Sequence, residues 1–442
     1  MKKVLLLGAG LVTRPLVRYL LNQKNIELII ASRTVSKADA LLENHPNGKS
    51  YALNVKSEES KLEHLVSESD VIISLLPWIY HLKVAKFCLK HKKHLVTTSY
   101  VSDAMKELNS EAKEKGLLFL NEIGLDPGID HMSAMKIIKN VEDRGGKIIS
   151  FESVCGGLPA PEDNDNPFGY KFSWSPRGVI LAGRNNAHYL KDGSEVKLEG
   201  KNLFTNYWTK SVEGLGEMEV YPNRDSMIYQ ELYSLWDSKT IFRGTFRNLG
   251  WCKTLYSISK LGWLDDTERP ELENLSMTEV TAKLVNCRKD EVIRIVSEKI
   301  DQPEDSEVIE RLKWLGMFDE VKVHPEQWTY LDVLSARMQD MMPYKKGEKD
   351  MIVLQHDFIA EYPDNTKEHI VSLMIDFGIP NGDSAMARTV SLPAAIATKL
   401  LCEGKFEKIS GVYIPNIPEI YNPVLDELEV LNIKMVDTIT KI

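Results

Sequence analysis

Cysteine is scarce in this chain: five thiols (Cys88, Cys155, Cys252, Cys287 and Cys402) are scattered over 442 residues. The number is odd and no pair has zinc-site or redox-motif spacing. That pattern excludes a disulfide-built scaffold and implies reduced thiols in the cytoplasm. No run of about 18 apolar residues occurs, so nothing in the sequence is built to span a membrane. Basic excess is missing too. Lysine and arginine total 55 against 64 acidic residues, a formal charge of −9, and no cationic surface suited to nucleic acid stands out. Repeats and low-complexity tracts are absent. The apolar start, Val4 to Val12, contains Gly8-Ala9-Gly10 and ends at Thr13-Arg14-Pro15 without a small-residue cleavage site. It reads as a strand and a turn, not an export signal. Hydrophobic residues at 43% and charged residues at 27% give the balance of a folded chain, long enough for two or three domains of roughly 150 residues.

From Lys3 to Gly146 apolar runs and helical patterns alternate. Strands are expected over 3–7, 27–31, 51–55, 71–76, 94–98 and 117–121, and helices over 15–21, 36–42, 81–90, 102–115 and 130–143. Such spacing implies crossover connections and a parallel sheet, whose ligands bind outside the carboxyl ends of the strands. The strand exits are Gly8-Ala9-Gly10, Ser32-Arg33-Thr34, Leu76-Pro77-Trp78, Ser99-Tyr100 and Gly124-Leu125-Asp126-Pro127-Gly128. Small, polar and turn-forming residues collect on this one edge, where a cofactor belongs.

Gly8 permits a tight turn after the first strand. Gly10 lets the backbone of Gly10-Leu11-Val12 approach a pyrophosphate at the helix N-terminus. Thr13 stands where the usual pattern has a third glycine. At the second strand's exit an NAD site normally places Asp or Glu against the ribose 2′-OH. Here Ser32, Arg33 and Thr34 stand instead, and the planar guanidinium of Arg33 suits a 2′-phosphate. NADP is the expected cofactor, with NAD the alternative. Leu76, Pro77 and Ser99 border the same edge.

Beyond Lys147 the pattern is mixed. Strand-like runs begin at Ile148, Cys155 to Pro161 reads as a rigid loop, and aromatics alternate from Phe168 to Trp174 as they do in a strand. Residues from Trp251 to Pro343 are mainly helical, with a capping box at Ser276-Met-Thr-Glu279 ahead of a helix expected to reach Lys299. Apolar runs over 351–359 and 368–377 flank Pro363-Asp364-Asn365 as a hairpin, and 384–401 has a helical pattern. The expected fold is α/β: a Rossmann-type parallel-sheet domain plus a mixed α/β substrate domain carrying a helical insertion. The dinucleotide domain takes 1–130 and 388–442, the substrate domain 131–250 and 347–387, and the insertion 251–346. Lys90-His91-Lys92-Lys93-His94 is a solvated helix end, and no metal site is expected.

Several stretches together resemble saccharopine dehydrogenases of the glutamate-forming branch, in their fungal form and in the carboxyl-terminal half of animal aminoadipic semialdehyde synthase. They are Gly8-Ala-Gly-Leu-Val-Thr-Arg-Pro15, Thr97-Thr-Ser-Tyr100, Asn121-Glu-Ile-Gly-Leu-Asp-Pro-Gly-Ile-Asp-His131, Cys155-Gly-Gly-Leu-Pro-Ala-Pro161, Tyr170-Lys-Phe-Ser-Trp174, Tyr221-Pro-Asn-Arg-Asp-Ser226 and Arg243-Gly-Thr245, with Glu348-Lys-Asp-Met351 and Ser384-Ala-Met-Ala387 later. The resemblance runs nearly end to end and implies a three-domain enzyme of lysine metabolism. That enzyme interconverts saccharopine with glutamate and 2-aminoadipate 6-semialdehyde. The animal domain uses NAD, whereas Ser32-Arg33-Thr34 looks like the NADP-using fungal form, whose pattern also carries threonine at the Thr13 position.

Saccharopine bears three carboxylates, an α-amino group and a bridging secondary amine, so the enzyme must bind anions and handle protons on nitrogen and water. Arg224 is the first carboxylate anchor. Arg243, Thr245 and Arg247 form a second cluster, placed on one face by strand alternation. Ser99 and Tyr100 are candidates at a strand exit, as is Trp174 in the aromatic run. Asp126, Pro127 and Gly128 precede a helix expected to be capped by Asp130. Their backbone amides are suited to a carboxylate, and Asp126 to a substrate amine. Cys155 is a small residue of the substrate site. Asp126, Cys155 and Tyr100 are the candidates for catalysis, with proton handling unassigned among them, and His131 is read as packed. Two other classes compete: a carbon–nitrogen dehydrogenase acting on another amino-acid or polyamine conjugate, and a catalytically silent dinucleotide sensor. The first needs acidic anchors for a polycation, whereas the anchors here are arginines. Monomer and homodimer are both open.

Overall fold

Strands that are apolar on both faces must be covered on both, and the earliest strands of this chain are of that kind. A computed structural model describes residues 1–442 and places β1 (Lys2–Leu7), β2 (Ile26–Ser32), β3 (Gly48–Ala52), β4 (Val71–Ser74), β5 (His94–Val96) and β6 (Leu118–Leu120) in one parallel sheet. Its order is β3-β2-β1-β4-β5-β6, extended by the strand Gly411–Tyr413 beside β6. This is the doubly wound order, whose topological switch point lies between β1 and β4. Val4, Leu5, Leu6 and Leu7 of β1 and Ile72 and Ile73 of β4 are fully buried at its centre. The chain forms two units: Met1–Lys147, Tyr362–Thr366 and Ser372–Thr438 make the first, and Ile148–Glu361, Lys367–Val371 and Ile439–Ile442 the second.

Three local differences from the sequence expectation have simple causes. The helix Glu59–Ser67 buries only Leu62, Leu65 and Val66, too few apolar positions to advertise itself. The edge strand β3 is largely exposed, so it lacks an apolar period and falls earlier than 51–55. The expected helix over 102–115 is two short ones, Asp103–Lys106 and Asn109–Glu114.

A second sheet has nine strands: β7 (Lys147–Pro159), β8 (Ala187–Lys191), β9 (Ser194–Leu198), β10 (Trp208–Val212), β11 (Gly216–Pro222), β12 (Thr240–Arg247), β13 (Asp350–Glu361), β14 (Lys367–Phe377) and the strand Val436–Lys441. Its main path is β10-β11-β12-β7-β13-β14 and then Val436–Lys441. Pairing is mixed, since β12 runs parallel to β7 and antiparallel to β11. Cys155 to Pro159 continues β7, so the expected loop is a strand paired through Thr245 opposite Cys155. The aromatic run Phe168 to Trp174 is not a strand. Gly169 bends it at φ 59°, Phe168 packs on Trp314 and Tyr170 on Trp251. The alternation there reflects separate packing partners. β13 and β14 form the expected hairpin about Tyr362–Thr366.

The helical stretch holds Trp251–Leu261, Met277–Val285, Val292–Ile300, Glu307–Trp314 and Tyr330–Met341. Asn286 ends the second of these in a left-handed conformation, which breaks the single helix expected to reach Lys299. No helix is long and apolar enough to cross a membrane. The capping box ahead of Met277 is complete: the Glu279 amide donates to Ser276 Oγ (3.3 Å) and the Ser276 amide to Glu279 Oε2 (2.7 Å). Ser276→Ala is expected to lower unfolding free energy by about 1 kcal/mol, read as a shift of the urea midpoint at unchanged slope.

Candidate active site

The carboxyl edge of the first sheet begins with the loop after β1. Gly8 sits at φ 112°, and a Cβ there lies 3.0 Å from the carbonyl oxygen of Leu75, so glycine is required at the switch point. Thr13, fully buried, takes the third glycine's place and accepts a hydrogen bond from the Gly10 amide at 2.9 Å. Around Gly10 the space is open: a Cβ there meets only Thr13 Oγ1, at 4.0 Å. The amides of Leu11 and Val12 make no hydrogen bond within the protein. At the β2 exit Ser32 is half-buried, while Arg33 and Thr34 are exposed. Arg33 has no carboxylate partner, and no acidic residue stands at the strand tip. Leu76 packs on the sheet's apolar core, Pro77 is exposed, and beyond it Trp78 and Ile79 are exposed as well.

The exits of β4 and β5 are tied together by a residue the sequence reading treated only as the start of a helix. His81 Nδ1 lies 2.8 Å from Ser74 Oγ, and Nε2 lies 2.8 Å from Ser99 Oγ and 3.3 Å from Thr97 Oγ1. Burial pushes the His81 imidazole down to about 4. The β6 exit is organised by Glu122, buried in a left-handed conformation. Its carboxylate accepts from the Val101 amide (2.8 Å) and pairs with buried His131 (2.8 Å).

Tyr100 donates from its hydroxyl to Asp126 Oδ1 at 3.0 Å, bringing two of the catalytic candidates together. Asp126 is half-buried, whereas Pro127 and Gly128 are buried. Gly128 is forced, since a Cβ there lies 2.0 Å from the Gly124 carbonyl oxygen. The helix begins at Ile129 with Gly128 as its cap, so Asp130 is not the capping residue. It lies in the first turn, and its carboxylate accepts from the Gly128 amide at 2.5 Å. The Ile129 and Asp130 amides donate to the carbonyls of Gly124 and Leu125. The expected carboxylate cradle of backbone amides is therefore already filled by the loop itself.

In the second unit β12 carries Arg243, Thr245 and Arg247, with Thr245 opposite Cys155 on β7 and opposite Tyr221 on β11. Both arginines and Cys155 are buried, and Thr245 is half-buried. Arg243 donates to the Tyr229 hydroxyl and lies 4.6 Å over that ring. Arg247 is caged by aromatic faces: its guanidinium is 4.9 Å from the Tyr170 ring, 5.3 Å from Trp251 and 6.0 Å from Tyr221. It donates to the Phe246 carbonyl at 2.8 Å, its Nε has no partner, and no carboxylate pairs with it. Burial pushes the phenols of Tyr170 and Tyr221 up, so the cage is neutral. Glu219, opposite Arg247 on β11, is spent on the amides of Gly250 and Cys252 (2.7 Å each). Arg224 is exposed at φ 57°, and neighbouring Asp225 is held by the Met227 amide and His188. Trp174 is 38% exposed, just ahead of the helix Pro176–Ala182.

His94 accepts from the Leu118 amide at 3.0 Å and His91 pairs with Glu63 at 2.8 Å, so both have structural partners. The residues missed in sequence, His81, Glu122, Tyr170 and Trp251, all act by contact with residues distant along the chain. The Tyr170 cage is the most legible of them, since the aromatic run is visible in the sequence although its alternation does not mark a strand.

Two family profiles cover the chain. Residues 4–120 match the saccharopine dehydrogenase NADP binding domain and residues 124–433 the saccharopine dehydrogenase C-terminal domain. A relative from Schizosaccharomyces pombe, named saccharopine dehydrogenase [NADP(+), L-glutamate-forming], is 40% identical over 99% of both chains. One of the same name from Saccharomyces cerevisiae is 39% identical over 97% of each. The mouse mitochondrial alpha-aminoadipic semialdehyde synthase is 37% identical over 97% of this chain and 47% of that protein. Among solved structures, apo saccharopine dehydrogenase (L-Glu forming) from Saccharomyces cerevisiae superposes with a TM-score of 0.92 at 38% identity over the whole of both chains. A homospermidine synthase from Legionella pneumophila shares the fold, with a TM-score of 0.57 at 10% identity.

His81 gives the first unit a pH signature. Its folded value is depressed, so the unfolded chain binds the extra proton between about 6.5 and about 4. This contribution to stability is complete above pH 6.5 and is lost as the pH falls toward 4; by linkage it is on the order of 3 kcal/mol. Chemical denaturation at stepped pH is expected to show that slope in the native protein and a shallower one in His81→Gln.

Proposed function

The chain belongs to the saccharopine dehydrogenase family, and on that premise we propose that it is the NADP-dependent, L-glutamate-forming enzyme. It is an oxidoreductase acting on the CH–NH group of saccharopine. Saccharopine, NADP⁺ and water are interconverted with L-glutamate, 2-aminoadipate 6-semialdehyde and NADPH, a reaction of lysine metabolism. The observation that carries this reading is similarity at 40% identity over 99% of both chains to a relative of that name.

The dinucleotide fits the residues present. Open space at Gly10, the free amides of Leu11 and Val12 and the turn at Gly8 suit a pyrophosphate. Arg33, exposed without a carboxylate partner between Ser32 and Thr34, suits a 2′-phosphate. Leu76, Pro77 and Ser99 are assigned to the nicotinamide end, at the exits of β4 and β5 near the switch point. When bound, NADP⁺ accepts hydride from the carbon beside the secondary amine.

The substrate supplies three carboxylates, and the second unit supplies cations. Arg247, a buried guanidinium with an unpartnered Nε and no counter-ion, is the strongest anchor, with Arg224 and Arg243 as further carboxylate partners and Thr245, Trp174 and Cys155 as neighbours that shape the site. In the first unit Asp126 is assigned to a substrate N–H. Tyr100 donates to its Oδ1 and so fixes the carboxylate's orientation, while Pro127 and Gly128 hold the loop that presents it. Tyr100 and Asp126 are the pair we assign to proton transfer on nitrogen. Five free thiols suit the cytoplasm.

Incubation with saccharopine, with NADP and NAD in parallel, is followed by absorbance of the reduced nicotinamide and identification of products. Glutamate and the semialdehyde are expected, with NADP preferred; turnover of another conjugate in their place overturns the assignment. Arg33→Ala is expected to lower kcat/KM for NADP about 10–100-fold, the worth of a charge-assisted hydrogen bond, and to leave NAD turnover unchanged. Arg247→Met keeps an unbranched chain in the aromatic cage. It is expected to raise KM for saccharopine about 10–100-fold while the melting temperature holds or rises, because an unpaired buried charge is removed.

A further inference from the structure

The hydroxyl of Ser99 stands at the β5 exit, and the direction of its hydrogen bond is settled behind it. His81, 5% exposed, opens the helix His81–His91 and bridges Ser74 and Ser99 with its two nitrogens, each at 2.8 Å. Burial depresses its basicity, so the ring is neutral, with one N–H and one lone pair. Ser74 decides which nitrogen carries the proton. It is fully buried, and the only acceptor for its hydroxyl is His81 Nδ1. With Nδ1 accepting from Ser74, Nε2–H donates to Ser99 Oγ, and of the interior hydroxyl hydrogens only that of Thr97 lacks an acceptor. The opposite tautomer makes Ser99 donate to Nε2 and leaves the hydrogens of both Ser74 and Thr97 without acceptors. Having Thr97 donate to Nε2 at 3.3 Å instead sets the Ser99 oxygen against the ring nitrogen at 2.8 Å with no hydrogen between them. A buried hydroxyl without an acceptor is costly, so the Nε2–H form is favoured.

We infer that His81 is a positioning residue which, through the Ser74–His81–Ser99 chain, holds Ser99 as an obligate hydrogen-bond donor to an oxygen of the bound ligand. The inference rests on the assignment of Ser99 to the ligand site. The oxygen belongs either to the carboxamide of the nicotinamide or to a carboxylate of the amino-acid substrate. Both are acceptors, and neither is served by a serine turned inward.

The first readout needs no ligand. Long-range ¹H–¹⁵N spectra of the full ¹⁵N-labelled chain at pH 7, with His81 identified by difference from His81→Gln, are expected to show the Nε2–H tautomer; an Nδ1–H tautomer overturns the inference. The second readout compares His81→Leu, which removes the donor to Ser99, with His81→Gln, which restores an N–H near the position of Nε2. His81→Leu is expected to lose about 10-fold or more either in NADP affinity, measured by titration without saccharopine, or in KM for saccharopine at saturating NADP. The first outcome assigns the oxygen to the nicotinamide and the second to the substrate. His81→Gln is expected to recover most of the loss. Equal losses in the two variants, or none in either constant for a folded His81→Leu, overturn the positioning role. Should the native enzyme fail to turn over saccharopine, the assigned reaction falls, while the tautomer and the NADP titration still decide this inference.

Discussion

A parallel sheet covered on both faces leaves its strands only one place to meet ligands, and at that edge every polar group must still find a partner. The first unit is organised around this constraint. The Gly10 amide goes to Thr13, the β4 and β5 exits share His81, and the loop from Gly124 to Gly128 bonds to its own backbone. Glu122 is committed to the Val101 amide and His131. Because so much of the edge is already paired, the groups that are not become informative. They are the amides of Leu11 and Val12 and the guanidinium of Arg33. All suit an anionic, oxygen-rich ligand, although the chain carries net negative charge.

The second unit makes the same point through charge. Buried cations there are normally neutralised: Lys210 sits 2.8 Å from Glu152 and 2.9 Å from Asp357, and Lys171 sits 2.7 Å from both Asp165 and Glu348. Arg247 departs from this pattern. Aromatic faces repay part of its desolvation, yet no carboxylate approaches it, and the acidic residue across the strand pair is used to hold a helix end. A buried guanidinium kept without a counter-ion destabilises the ligand-free fold. On the assignment proposed above, a substrate carboxylate completes the pair.

How much of this was legible in the sequence depends on the range of the interaction. The glycine loop, the bare Arg33 tip and the alternation of Arg243, Thr245 and Arg247 are local patterns and appear in the structure as strand exits and strand faces. The Ser276–Glu279 box is local too. His81 was not legible, because its partners Ser74 and Ser99 lie at the exits of two different strands and nothing in their spacing reports the bridge. The carboxylate cradle expected at Gly128 is not available because amide availability depends on loop closure. Only the bonds to Gly124, Leu125 and Asp130 reveal that closure. The run from Phe168 to Trp174 misled for a related reason: period-two aromatics describe a strand only when one surface receives them all. Here Phe168 and Tyr170 have different partners.

Thr13 links the loop's local chemistry to cofactor choice. A third glycine in its place would leave the Gly10 amide free to meet a pyrophosphate, whereas the Thr13 hydroxyl takes that amide and stiffens the turn. Two unpaired amides, those of Leu11 and Val12, remain at the helix entrance. With fewer donors at the pyrophosphate, more of the dinucleotide's affinity has to come from its other end, and there the one charged group at the β2 tip is Arg33. A ribose 2′-OH meets no carboxylate acceptor at that tip, while a 2′-phosphate meets a guanidinium that no protein anion neutralises. The substitution of threonine for glycine in one loop therefore raises the weight carried by a single arginine at the next strand. Both departures from the common NAD pattern favour the phosphorylated cofactor.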